Sequence, residues 1–260
     1  MAAIKTHKLW LKVTAAIVAL GLLTSTLSAS AVSFNWKSLR RNGSPVRRAS
    51  AGTRGPAFCV TGKKPLVSLT PSQYNSQTGS DSPTLYAYVP HTIAKQAKVL
   101  WVEKGTEASA KRSERTYQLS GKSGIVGFKL PAGAIAAGKE YRWTLVLLCY
   151  PQNYGSNDRV ESFIQRAPVG ADIAQALKSA TTLQQRLDLY SQAGLWQDGL
   201  AEIAQRRQNR PNDSDLKKAW DSWLLLDEVR LDKVEVGPKS FIGIVDEPVL
   251  SPSDSPKLLP

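Results

Sequence analysis

Apolar and polar residues alternate over short runs from Phe58 to about Ala167, and beyond Pro168 the repeat lengthens to a helical one. The first region predicts strands over residues 58–61, 65–69, 84–89, 98–103, 115–119, 124–130, 140–149 and 159–165, each rich in Val, Leu, Tyr, Trp or Thr and bounded by turn residues. Within 140–149, Tyr141, Trp143, Leu145, Leu147 and Cys149 fall on one face. Arg142 and Thr144 start the other face, and Val146 and Leu148 make its end apolar too. That is the pattern of a central strand, covered on both sides at one end. Leu130-Pro131-Ala132-Gly133, then Gly138-Lys139-Glu140-Tyr141, has the form of a tyrosine corner feeding a long strand. The expected fold class is α+β, opening with an antiparallel β-sandwich of immunoglobulin-like kind. A two-sheet barrel fits the same pattern.

The second region predicts four short helices. Ile173, Leu177 and Ala180 carry the first stripe, and Leu183, Leu187 and Tyr190 the second. Thr181 with Gln184 fits a capping box, and Gly194 fits a helix stop. Trp196, Leu200 and Ile203 form a third stripe that ends before Pro211. Asp213 or Ser214 caps a fourth helix with Leu216, Trp220, Trp223 and Leu224 on one face. Short connections predict two hairpins, and their stripes need a partner, so the module is expected to pack on the sandwich.

Both ends read differently. Lys5, Lys8 and Lys12, an apolar run over residues 13–23 and the small residues Ala29-Ser30-Ala31 form a signal-peptide pattern over 1–31. The run is shorter than the roughly 20 residues of a spanning helix. Cleavage after Ala31 leaves a soluble chain; retention makes the segment an N-terminal anchor. Residues 32–54, with Arg40, Arg41, Arg47, Arg48 and Arg54 among Gly and Ser, read as a basic flexible leader. The expected sandwich spans 55–167 and the helical module 168–236. Residues 237–260 form a Pro- and Ser-rich tail whose Phe241-Ile242-Gly243-Ile244-Val245 could add a strand to a sheet edge.

Charge and cysteine content narrow the function classes. Without residues 1–31 the chain keeps 31 basic and 21 acidic residues, a net +10. Such a surface suits an envelope protein or an acidic wall polymer as partner, or serves solubility alone. Export argues against nucleic acid, and no transmembrane span is expected after cleavage. The expected location is periplasmic or extracellular. Cys59 and Cys149 are the two cysteines, and an exported chain favours a disulfide between them over two buried thiols.

Reactive machinery is sparse. His91 is the single histidine after residue 31, so paired-His metal sites are excluded, and two cysteines without a neighbouring His cannot complete a four-ligand zinc site. No Gly-x-Ser-x-Gly elbow and no Gly-rich phosphate loop occurs. No catalytic residue, metal or cofactor is expected. Asp158 and Glu161 are the carboxylates an envelope carbohydrate-processing enzyme would use, but strand periodicity pairs Glu161 with Arg159 or Arg142 instead. Asp213 and Asp215 suit a helix start. Aromatic residues offer the better candidate ligand-binding set. Tyr86 and Tyr88 share one sheet face, a platform if open and core if the helices cover it, with covering favoured. Tyr150 and Tyr154 lie in the turn after Cys149, where exposure is expected.

Ordered motifs carry a family resemblance. Ala51-Gly52-Thr53-Arg54-Gly55 with Cys59, Leu69-Thr70-Pro71, Ser82-Pro83-Thr84-Leu85-Tyr86-Ala87-Tyr88-Val89-Pro90, Lys139-Glu140-Tyr141-Arg142-Trp143, Cys149-Tyr150-Pro151 and Ala193-Gly194-Leu195-Trp196-Gln197-Asp198 resemble, in order, the domain of unknown function 928, found mainly in cyanobacterial exported proteins. The resemblance covers about residues 51–234. It implies export and a β-then-α layout, and no activity. Tyr150 stands where that pattern usually has an acid. Tyr190, Gly194, Trp196 and Pro211 also resemble half of a tetratricopeptide repeat, a spacing that a generic helical hairpin shares. The reading is a non-enzymatic exported binding or interaction protein of the cell envelope. A carbohydrate-processing enzyme and a purely structural envelope protein are the alternatives.

Overall fold

Alternation along Thr84–Val89 sends side chains into two different interiors, and this organises the molecule. The computed structural model describes residues 34–41, 47–50, 59–106, 112–150, 153–226, 228–229 and 241–245. Residues 1–31, where the sequence carries the signal-peptide pattern, and residues 246–260 lie outside them. Among the described residues, nine strands form two open sheets, not a closed barrel. They are β1 (Val67–Ser68), β2 (Ser76–Thr78), β3 (Thr84–Val89), β4 (Gln96–Glu103), β5 (Ser113–Gln118), β6 (Gly124–Lys129), β7 (Glu140–Leu147), β8 (Arg159–Arg166) and β9 (Phe241–Val245). One sheet has the order β1-β3-β6-β9 and the other β2-β8-β7-β4-β5.

Most pairs are antiparallel, as expected; the edge strands β2 and β9 instead join in parallel, to β8 and β6. Strand β7 is the middle of its sheet, as its sequence requires. Its Trp143, Leu145 and Leu147 are buried between the sheets with Leu85, Ala87, Val126 and Phe128. The tyrosine corner forms: the Tyr141 hydroxyl accepts from the Ala136 N–H at 3.2 Å. Of the strand expected over 58–61, Phe58 lies outside the described residues, and Cys59, Val60 and Thr61 form no strand, Val60 making an isolated bridge to Thr92.

The helices α1 (Ala171–Ser179), α2 (Leu183–Ala193), α3 (Trp196–Asn209) and α4 (Ser214–Leu224) follow. Leu187, Trp196, Leu200, Ile203, Trp220, Trp223 and Leu224 cover Val67, Leu69, Tyr86 and Ile125 on the outer face of the four-stranded sheet. The layers are therefore five-stranded sheet, four-stranded sheet, helices. The capping box uses Thr182 with Gln185, one residue later than expected. Both pairs have the same spacing, and Thr182 is the residue with extended backbone that frees its hydroxyl for the Gln185 N–H. Gly194 ends α2 at φ +71° as expected, and Asp213 caps α4.

The leader departs from the flexible reading where it is described. Phe34 and Leu39 are buried among the helices, and the Asn35 amide nitrogens donate to Ser191 and Gln192 carbonyls at the end of α2. Arg41 bridges Tyr74 and Ala49 bridges Val67. The arginines disguise this segment. Arg40 keeps its side chain in water while its carbonyl accepts from the Asn75 N–H at 3.0 Å. A Cβ on Gly194 would strike Ser38, so this glycine serves both the left-handed turn and the passage of the leader.

Candidate functional site

Two polar arrangements stand out: a latch between α3 and the sheets, and a basic trough on the outer face of the five-stranded sheet. The latch is built from the first turn of α3. Gln197 is buried; its Oε1 accepts from the Ser76 hydroxyl at 2.9 Å and its Nε2 donates to the Thr84 carbonyl. Asp198 accepts from the Thr78 hydroxyl at 2.9 Å and the Gly79 N–H at 2.8 Å. Burial pushes its carboxyl up to about 6, against the pull of these hydrogen bonds.

An unfolded Asp titrates near 3.9, so between that pH and about 6 the folded chain holds a proton that the unfolded chain has released. The stability this gives is complete below the unfolded value and is lost as pH rises through the folded one. An edge of the residue remains accessible, so the loss is at most about 3 kcal/mol. Asp198→Asn keeps an acceptor for the Gly79 N–H and turns an amide N–H to the Thr78 hydroxyl, which then accepts instead of donating. It is expected to flatten the stability profile between pH 4 and 6.5, measured by urea unfolding at a series of pH values. A variant with the wild-type slope would be inconsistent with this assignment.

The trough has a volume of about 330 Å³. Strand alternation on β4, β7 and β8 sets Leu100, Val102, Thr144 and Val146 along its floor. Arg112, Arg142 and Arg159 line it with Glu161. Glu161 lies 3.9 Å from Arg159, the pairing expected from the strand period. Arg142 sits cross-strand from Phe163, its guanidinium 5.9 Å from the ring, and the Lys104 ammonium lies 4.9 Å from the same ring. The arrangement gives three guanidiniums and one carboxylate above an aliphatic floor. It can hold a carboxylate, sulfate or phosphate group by paired N–H donors, with the apolar part of a ligand against Leu100 and Val146.

The residues singled out in the sequence fall elsewhere. Cys59 and Cys149 are bonded, with Cα atoms 5.5 Å apart. Tyr86 is buried edge-on to Trp220 with centroids 6.3 Å apart, and Tyr88 is half-buried against the same cluster. The open-platform reading of this face is therefore excluded, because the helices occupy it. Tyr150 is half-buried against the sandwich interior with its hydroxyl inside, in contrast to the exposed position expected. The Tyr154 backbone forms a 3-10 turn with Gly155 and Ser156, and its side chain lies outside the described residues.

Asp158 and Glu161 do not face each other. Asp158 is buried beside Ser50 with its carboxyl raised by burial, whereas Glu161, three residues on along the strand, opens to the trough. His91 is exposed, with Nε2 3.2 Å from the Ser123 hydroxyl. Among the described residues, no group of three or more His, Cys, Asp or Glu could hold a metal ion, and no helix is long and apolar enough to cross a membrane.

The sequence profile of the family described as Domain of Unknown Function (DUF928) matches residues 49–238. The chain belongs to this family. No curated protein sequence matches it. The matched region takes in both sheets except β9, all four helices, the disulfide, the latch and the trough. The motif Gly194-Leu195-Trp196-Gln197-Asp198 gains a physical meaning: a left-handed stop, two buried apolar side chains, then the two residues that hold α3 to the sheets.

Proposed function

We propose that this protein is an exported binding protein of the cell envelope that holds an acidic component through the outer face of its five-stranded sheet. The observation that carries the reading is the trough, where Arg112, Arg142 and Arg159 gather over an aliphatic floor. The net charge of +10 that remains without residues 1–31 works in the same direction, drawing polyanions to the surface. The Cys59–Cys149 bond suits an oxidising compartment, periplasmic or extracellular, and so does the signal-peptide pattern of residues 1–31. The work is recognition without turnover. The separation of Asp158, buried beside Ser50, from Glu161, which lines the trough, supports this reading over a carboxylate pair acting on one glycosidic bond.

Binding of the mature chain to immobilised polygalacturonate tests this. We expect retention that weakens with salt, as exposed charges require. We expect Arg142→Glu with Arg159→Glu to lower the affinity at least tenfold while the thermal midpoint stays close to wild type, since both side chains are on the surface. Equal retention of the double variant would move binding away from the trough. No retention on polygalacturonate or on peptidoglycan would leave the purely structural reading.

A further inference from the structure

The edge of β6 is filled by a strand that lies beyond the family's matched residues. The match ends at residue 238, and β9 begins at Phe241. Strand β9 reaches β6 in parallel, after residues 230–240, and its five residues are all half-exposed. Its register is irregular: Ile125 pairs with Phe241 and Val126 with Gly243, so Ile242 is an extra residue. The bulge lets one short strand serve two interiors. Phe241 packs 5.2 Å from the Trp220 ring, with the Arg207 guanidinium 6.0 Å from its own ring. Ile242 and Val245 pack against the sandwich interior. Ile244 lies opposite Gly127, where an added Cβ would come within 3.2 Å of its Cγ1.

We propose that the β6 edge is a strand-acceptor site that takes Phe241–Val245 from a second copy of the chain as well as from its own. The acceptor has what strand addition needs: backbone groups along one edge that pair with an added strand, and apolar recesses for side chains on both faces. These contacts are made with β6, with Trp220 of α4 and with the sandwich interior, all parts of the body of the domain. The same strand from another copy would make them equally well. In a reciprocal exchange neither copy loses a contact, which makes swapping an inexpensive route to a dimer. Residues 230–240 can extend over roughly 36–40 Å. Tethering gives the chain's own strand an effective concentration in the millimolar range, so exchange populates only near that concentration. Because the edge belongs to the four-stranded sheet and the trough to the other, this inference is independent of the proposed ligand.

Sedimentation velocity of the full mature chain, from a few micromolar to about 1 mM, tests it. The expected result is a dimer that grows with concentration and falls at least threefold when a tenfold excess of the peptide of residues 238–247 is added. The same peptide with Phe241→Ser should leave the dimer intact, because it lacks the ring that enters the recess beside Trp220. A chain that stays monomeric across the range overturns the proposal. So does a dimer that the wild-type peptide does not reduce.

Discussion

Replacing Cys59 and Cys149 together by serine is expected to lower the unfolding free energy by about 4–5 kcal/mol. The bond joins residues 90 apart in sequence, and a closed loop of that length removes on the order of 4–5 kcal/mol of chain entropy from the unfolded state. The folded state keeps most of its other contacts there. The Thr92 hydroxyl donates to the Cys59 carbonyl at 2.7 Å, and the Cys149 N–H donates to Asn157 Oδ1 at 2.9 Å, both independent of the sulfurs. The loss therefore falls mainly on the unfolded side. Urea unfolding of the variant and of reduced wild type should give the same lowered midpoint. A difference below about 1 kcal/mol would mean that the unfolded chain is already compact around this loop.

Trp223→Ala is expected to cost about 3–5 kcal/mol, the range for emptying a fully buried aromatic site. Trp223 has no exposed surface; its indole N–H donates to the Trp196 carbonyl at 3.2 Å, and its ring meets Phe34 edge-on at 5.7 Å. It also lies against Gly199, where an added Cβ would come within 2.7 Å of Cη2. Gly199→Ala alone should cost about 1–3 kcal/mol by overpacking, since neither the helix nor the indole can yield cheaply. The two substitutions relieve each other, because the alanine methyl enters space the indole leaves. The double variant should be more stable than the sum of the singles implies, by at least about 1 kcal/mol in a double-mutant cycle. Simple additivity would show that Gly199 and Trp223 are not in contact.

Long periodic runs were the most legible part of the chain. Thr84–Val89 and the start of β7 at Glu140 have the expected bounds, because side-chain alternation and burial follow from one another there. The helical stripes were legible for the same reason, down to the stop at Gly194. The triplet Ser76–Thr78 was missed since it has no apolar member, although all three residues are buried. Its side chains are held by polar partners on α3 and β8, a condition set by tertiary contact and invisible to periodicity. The leader was misread because five arginines outweigh Phe34 and Leu39 in composition.

The site was less legible than the fold. Tyr86 drew notice as a polar aromatic on an alternating strand, and burial under Trp220 turned it into core. Glu161 and Arg159 were seen as a pair, but their convergence with Arg112 and Arg142 depends on the order β8-β7-β4-β5 in the sheet, which brings the start of β5 to β7 and β8. Asp198 at the start of α3 reads like any acid near a helix N-terminus. Only the approach of Thr78 and Gly79 distinguishes it.

Strand β3 acts as a party wall. Leu85, Ala87 and Val89 furnish one room, and Tyr86 furnishes the next. A gene cut at Pro168 would leave the first room with one wall bare to water on its far side, and would leave α2 to α4 with their tryptophans unhoused. The change from strand to helix in the sequence thus marks a change of building material within a single house, not a doorway between two.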